Sequence, residues 1–285
     1  VKAKLFPLNK ITVIGPGLIG GSIAKACIER ALCKNLAIGA RDDELNLLTK
    51  SGLKANLYNH FGLSVEGSDL VILCVPFEVL ESILLEIKDY LGPETIVTDV
   101  TSIKKEVIRL FQSILADKVE WIGSHPMAGS EKSGFESSNS KLFDGSITIL
   151  TPGLHACSET LHCVKTLWEK LGSKTINLSA EEHDALVSEI SHLPHLLSAV
   201  LMKSVSLKSL ALAGPGFRDI TRIASGCPNL WKSILLTNRQ SICEAGKKFI
   251  MDFEEALEIL QTGDEKALLE LLNKANVLRK GLEKK

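Results

Sequence analysis

The chain has 285 residues, of which 45% are hydrophobic and 24% charged, and its formal net charge is −1. This is an ordinary globular mixture, long enough for two domains. The charge balance supplies no positive field for nucleic acid or an anionic membrane, and no segment reads as an unbroken transmembrane run, so a cytoplasmic protein with neither partner is expected. Seven cysteines lack CxxC spacing and several fall in apolar periodic segments. That pattern reads as reduced thiols, with no disulfide framework and no metal site.

In chain order, the β-branched run KITVI at Lys10 to Ile14 predicts a first strand, closed by Gly15, and a helical pattern begins near Leu18. LAIG at Leu36 to Gly39 predicts a second strand, followed by a helix from Glu44. LVILCV at Leu70 to Val75 predicts a strand buried on both faces, stopped by Pro76. An amphipathic stretch, Glu78 to Leu91, leads to a strand at Thr95 to Val100 and a helix around Lys104 to Leu115. VEWI at Val119 to Ile122, Ser146 to Leu150, and an edge strand at Lys174 to Leu178 complete the strands, with a helix over Ser158 to Leu171. Such alternation predicts a mostly parallel sheet covered on both sides.

After Leu178 the strand signals stop. Apolar residues recur at helical spacing over 180–210 and 228–280, interrupted by Pro194 and by AGPG at 213–216. The expected organisation is therefore an α/β domain over 1–178 and an all-helical domain over 179–285. The apolar surface of the helical part favours a homodimer.

GPGLIGGS, Gly15 to Ser22, follows the first strand and opens a helix. In that setting it is a dinucleotide-binding fingerprint. Gly15 permits the tight turn, Gly17 lets backbone approach a pyrophosphate, and Gly20 lets helix and strand pack closely. Leu18 and Ile19 start the helix whose free N–H groups would meet the phosphates. Val75 and Pro76, at the end of the LVILCV strand, are placed beside the same cofactor. A Rossmann-type domain is the expected fold.

Specificity for NAD or NADP should lie at the end of the second strand, where an acid suits a ribose hydroxyl and an arginine suits a 2′-phosphate. The sequence there is IGARDDE. Arg41 stands where an acid is expected, which favours NADP slightly; Asp42 could reach the hydroxyl if the strand ends one residue later.

The run GSHPMAGSEKSGFE, 123–136, follows VEWI directly. Read blandly it is a glycine- and serine-rich surface loop. Yet ligands in open α/β sheets bind beyond the carboxyl ends of strands, and His125 follows such an end. Ser102, in TDVTSIK, follows the neighbouring one. The two can share a hydrogen bond and face a nicotinamide. Histidine titrates near neutrality, which suits removing a proton from a substrate hydroxyl while hydride leaves the same carbon. Further along, SHLPH (Ser191 to His195) and GFRDITR (Gly216 to Arg222) lie in the helical part. Arg222 is the candidate carboxylate clamp, because a guanidinium donates two parallel hydrogen bonds; Arg218 reads as a surface residue.

Taken together, GPGLIGGS, DVTSIK, GSHPMAGSEKSG, SHLPH, GFRDITR and PNLW, in that order along nearly the whole chain, resemble the prephenate/arogenate dehydrogenase family of tyrosine biosynthesis. HPMAGSEKSG and SHLPH with DITR are the specific parts. The resemblance implies a Rossmann domain joined to a helical dimerisation domain. It also implies oxidation of a 4-hydroxyl with loss of the ring carboxylate as CO₂. In site terms it implies that His125 accepts the hydroxyl proton and Ser102 orients it. Arg222 would bind a substrate carboxylate, and His195 would line the same site. Ser130 and Glu131 would lie at its mouth, Glu131 pairing with the arginine, and Asp219 and Trp231 would form part of its wall.

Two positions depart from the family pattern. Thr101 stands where glycine is usual before the serine, so its methyl is expected near the nicotinamide side. Cys227 replaces an acid that in some relatives is associated with the amino group of arogenate, which tilts the substrate toward prephenate. Two other readings remain for the fold: another small-acid or imine reductase on the same plan, and a dinucleotide-binding dimer without catalysis.

Overall fold

A computed structural model describes residues 4–115, 118–129, 132–153 and 156–282. Eight strands form one sheet: β1 (Leu8–Ile14), β2 (Cys33–Gly39), β3 (Asn56–Tyr58), β4 (Leu70–Leu73), β5 (Ile96–Asp99), β6 (Glu120–Pro126), β7 (Ile147–Pro152) and β8 (Lys174–Asn177). Their order is β3-β2-β1-β4-β5-β6-β7-β8, parallel at every pairing except β6 with β7. The mostly parallel sheet expected from the alternation is present. The chain reverses its direction of travel between β1 and β4, which opens a crevice at their carboxyl ends.

Helices α1 (Leu18–Glu29), α2 (Asp42–Ser51), α3 (Phe61–Val65), α4 (Phe77–Ile87), α5 (Lys105–Ile114) and α6 (Ser158–Lys170) cover both faces. Two apolar cores result. One joins Ile11, Val13, Ile23, Ile38 and Trp168; the other joins Ile14, Leu73, Leu80, Val97 and Phe111. Alternate residues of β1 thus serve opposite cores, as the two-residue period of a strand requires. Each such side chain contributes about 1.5–3 kcal/mol by leaving water.

The helical part comprises α7 (Ala180–Val187), a π-helical turn over Ser188–His192, α8 (Leu193–Ser204), α9 (Leu207–Leu210), α10 (Pro215–Thr221), α11 (Pro228–Thr237), α12 (Arg239–Thr262) and α13 (Glu265–Leu282). Ser179 caps α7 in a reciprocal box with Glu182. By packing, the chain forms two compact units, 1–238 and 239–285. The division at 178 marks a change of secondary structure, whereas the packing unit continues to Asn238. The reason is visible in the second core, where Ile234 and Trp231 of α11 join the apolar side chains of α4 and α5. The second unit is the pair α12 and α13, with Phe249, Ile250, Met251, Phe253, Leu272 and Leu278 exposed.

Three local features differ from the sequence reading. The three-residue edge strand β3 carries no periodic signal. β6 does not stop at Ile122 but runs through His125 to Pro126. β5 pairs only as far as Ile122, but antiparallel β7 continues the ladder, with His125 opposite Ile149 and Pro126 opposite Thr148. The stretch Ala180–Ser204 is long and apolar enough by composition to cross a membrane. Within the first unit it carries buried His183, Asp184, His192 and His195, while Leu186, Ile190 and Val200 on the same stretch are exposed.

Candidate active site

The crevice at the switch point is built by glycine. Gly15 has φ +89°, and a Cβ there would lie 2.5 Å from the Cys74 carbonyl oxygen and 2.9 Å from Val75 Cγ1. Gly20 lies so close to the Gly15 carbonyl that a side chain could not fit. Gly17 is the N-cap of α1, has no side-chain cap and opens onto clear space. The N–H groups at the start of α1, from Leu18 and Ile19 onward, therefore remain for a phosphate. Val75 and Pro76 follow β4 on the opposite wall, with Pro76 capping α4. This cradle fits a dinucleotide.

Arg41 caps α2 at the end of the second strand. Its guanidinium is 3.1 Å from Glu44 and 3.5 Å from Asp43, and the side chain is 70% exposed. Asp42, at the first position of α2, accepts a hydrogen bond from Asn59 at 3.1 Å.

Three strands along, His125 is buried at the end of β6. Its Nδ1 lies 2.8 Å from Nε2 of His183, and His183 Nδ1 lies 2.7 Å from Asp184 Oδ1. Asp184 also accepts the backbone N–H groups of Lys104 (2.8 Å) and Lys105 (3.0 Å) at the N-terminus of α5. Burial alone would raise the Asp184 carboxyl, but the His183 bond and those backbone donors prevail and hold it below the usual carboxylate range. An ionised Asp184 accepts a proton-bearing His183 Nδ1, so His183 Nε2 is an acceptor and His125 Nδ1 must donate to it. The remaining nitrogen of His125, Nε2, then carries the lone pair.

Burial, with His183, Lys104 and His192 nearby, pushes His125 well below the usual imidazole value. The same holds for its neighbours. Burial lowers His183 despite Asp184, and pushes His192 down to about 4. His195 is also lowered by burial. Four histidines thus stand close together in their neutral forms at pH 7. Asn238 ties the group, its amide donating to the Asp184 carbonyl (2.8 Å) and to His192 Nδ1 (3.1 Å). His195 stacks on Trp231, centroids 3.5 Å apart at 12°. Gly226 fits edgewise against that pair, where a Cβ would come within 2.7 Å of Trp231 Nε1 and 3.0 Å of His195 Cε1.

The partner expected for His125 was Ser102, but His183 takes Nδ1. Ser102 is half-buried, between buried Thr101 and Ile103, in the turn that follows β5. The Thr101 hydroxyl is 2.8 Å from Lys104 Nζ, inside the domain. Arg222 and Asp219 are exposed, around the end of α10, and Cys227 is exposed at the N-cap of α11. Ser130 and Glu131 lie outside the described residues. Sequence reading missed His183, Asp184, His192, Asn238 and Lys104. EEHDALV reads as a plain amphipathic turn, and only the fold brings its His-Asp pair to a strand end. Among the described residues no cluster of His, Cys, Asp and Glu is arranged to hold a metal ion.

A sheet with a dinucleotide-binding glycine turn at the end of its first strand and a buried neutral imidazole at the end of another matches the class of nicotinamide-dependent dehydrogenases. Two family models cover the chain, the prephenate dehydrogenase nucleotide-binding domain at residues 28–177 and the prephenate dehydrogenase dimerization domain at residues 179–274. The chain is 33% identical to prephenate dehydrogenase of Bacillus subtilis, over 96% of this chain and 76% of that protein. It is 30% identical to cyclohexadienyl dehydrogenase of Zymomonas mobilis, over 96% of each. Prephenate dehydrogenase from A. aeolicus, solved with hydroxyphenyl propionate and NAD+, superposes with a TM-score of 0.90 at 27% identity, covering 98% of this chain and 100% of that one. The chain belongs to the prephenate dehydrogenase family.

Proposed function

We propose that the protein oxidises and decarboxylates prephenate to 4-hydroxyphenylpyruvate, with NAD+ as acceptor. The observation that carries this reading is the chain Asp184–His183–His125, which leaves a lone pair on a neutral imidazole at a strand end near the dinucleotide cradle. In the reaction His125 Nε2 accepts the proton of the substrate's 4-hydroxyl. The imidazolium that forms is stabilised by His183 and the Asp184 carboxylate behind it. A bound dinucleotide supplies the acceptor for the C4 hydrogen. Loss of the ring carboxylate as CO₂ makes the ring aromatic, and the phenolate oxygen takes back the proton from His125, so the base is regenerated. Ser102, in the adjoining turn, is assigned to the hydroxyl, and Arg222 to the side-chain carboxylate. The His195–Trp231 stack offers an apolar wall for the ring.

Prephenate is favoured over arogenate because Cys227, beside Gly226 and the stack, offers no negative charge to an amino group. NAD+ is favoured over NADP+ by the state of Arg41. The sequence alone leans to NADP through this residue, but Asp43 and Glu44 occupy its guanidinium. A 2′-phosphate would have to displace them in a turn already carrying three acids. A homodimer is supported by the exposed apolar side chains of α12 and α13, and a cytoplasmic setting by the reduced thiols. The test is direct: purified protein with prephenate or arogenate and either dinucleotide, followed by absorbance of the reduced cofactor. Turnover with prephenate and NAD+ is expected; no turnover with either substrate would overturn the reading.

A further inference from the structure

One buried cation touches neither substrate nor cofactor in the chemistry above. Lys104 and Asp99 form an ion pair of 2.6 Å in which both side chains have zero exposure. The ammonium also lies 2.8 Å from the Thr101 carbonyl, 2.8 Å from Thr101 Oγ1 and 3.0 Å from the Ile103 carbonyl. Taking two such ions from water is costly, and apolar residues of similar volume often hold a fold equally well. The arrangement of acceptors shows what the pair does locally. They come from residues 99, 101 and 103, so the chain wraps around its own lysine. Ser102 is the residue excluded from the wrap, held between two that are tied down.

The same knot reaches the base from two directions. Asp99 Oδ1 accepts the N–H of Ser124, the residue before His125 on β6, at 3.2 Å. The backbone N–H of Lys104 donates to Asp184 Oδ1, the atom that also receives His183. Ammonium and backbone of one residue therefore join the Ser102 turn, the strand bearing His125 and the carboxylate behind it. We propose that Lys104 is a positioning residue for the reaction, holding Ser102 and the His125–His183–Asp184 chain in fixed relation to one another.

The charge of this lysine gives the proposal a signature beyond folding. Facing His125 are His183 from α7, His192 from the π-helical turn and Lys104 from the turn after β5; Asp184 and Asp99 act on its neighbour His183. Lys104→Met removes a cation and leaves Asp99 uncompensated, and both changes favour the protonated imidazole. The inference rests on His125 being the base.

The experiment uses the full chain. Rates with NAD+ and prephenate are measured against pH for wild type, Lys104→Met and the double variant Asp99→Asn/Lys104→Met, together with NMR titration of the His125 ring and thermal unfolding. In Lys104→Met the acid limb of kcat/KM and the His125 titration should both move up by about one pH unit or more. The double variant should fall between it and wild type. If rates fall together with thermal stability while limb and titration stay at the wild-type pH, or if neither variant folds, Lys104 serves the fold alone and the proposal is overturned. Absence of wild-type turnover would instead sink the assigned reaction, and the His125 titration would still decide the role of Lys104.

Discussion

His125 and His183 meet edge to face, their ring centroids 5.1 Å apart at 61° and their nearest nitrogens 2.8 Å apart. Because Asp184 fixes the far nitrogen of His183, the contact sets which nitrogen of His125 is basic. Replacing His125 with Asn should lower kcat by about 10²–10⁴-fold while leaving dinucleotide affinity unchanged. His183→Phe keeps the base but removes the group that sets its tautomer, and should cost about 10²-fold in kcat with little change in KM. Steady-state kinetics with fluorescence titration of the cofactor would check both; an unaltered kcat in His183→Phe would refute the tautomer argument.

Stability should decline in mild acid. His192 is held neutral down to about pH 4 in the folded chain, whereas in the unfolded chain it titrates near 6.5. The unfolded state therefore binds protons first as pH falls, so the contribution is complete above pH 6.5 and is lost between there and about 4. For His192 alone this amounts to about 3 kcal/mol, and His125 and His183 act in the same direction. Urea unfolding at pH 7.5 and pH 5 should show the loss, and His192→Gln should reduce it.

Arg222→Ala should raise KM for prephenate by about 10- to 100-fold, the worth of a charge-assisted hydrogen bond, with kcat less affected. Product inhibition by 4-hydroxyphenylpyruvate should weaken in parallel, since it keeps the side-chain carboxylate. An unchanged KM would place the carboxylate elsewhere.

Cofactor choice can be tested at the first turn of α2. With its guanidinium shared by Asp43 and Glu44, Arg41 should be dispensable for NAD+, so Arg41→Ala should leave that KM within about threefold. Freeing the arginine with Asp43→Asn/Glu44→Gln should improve use of NADP+. Loss of both cofactors in Arg41→Ala would mean that the arginine lies against the adenine instead.

The apolar exposed side chains of α12 and α13 give a last expectation. Sedimentation should report a dimer, and Met251→Glu or Phe253→Glu should shift it toward monomer.

The sequence disclosed the fold through periodicity and through Gly15, Gly17 and Gly20, whose spacing is a local pattern even though Gly15 and Gly20 also make room for distant Cys74. It singled out His125 and His195 because the motifs around them are distinctive. What it hid depends on long-range contact. His183 and Asp184 sit 58 and 80 residues from their partners His125 and Lys104, and no local pattern marks them. Lys104 looked like a helix-start lysine, and its burial follows only from the turn that folds over it. The length of β6 was likewise set by its antiparallel neighbour, not by its own residues.

The carboxylate of Asp184 performs two offices at once: it caps α5 of the sheet layer and anchors the histidine pair. A cut at residue 178 would therefore part the sheet from Asp184 and His183, and from the Ile234 and Trp231 side chains of its second core, inside the compact unit 1–238. The boundary drawn by secondary structure is thus not a boundary of packing, and the two halves of the first unit depend on each other for their shape.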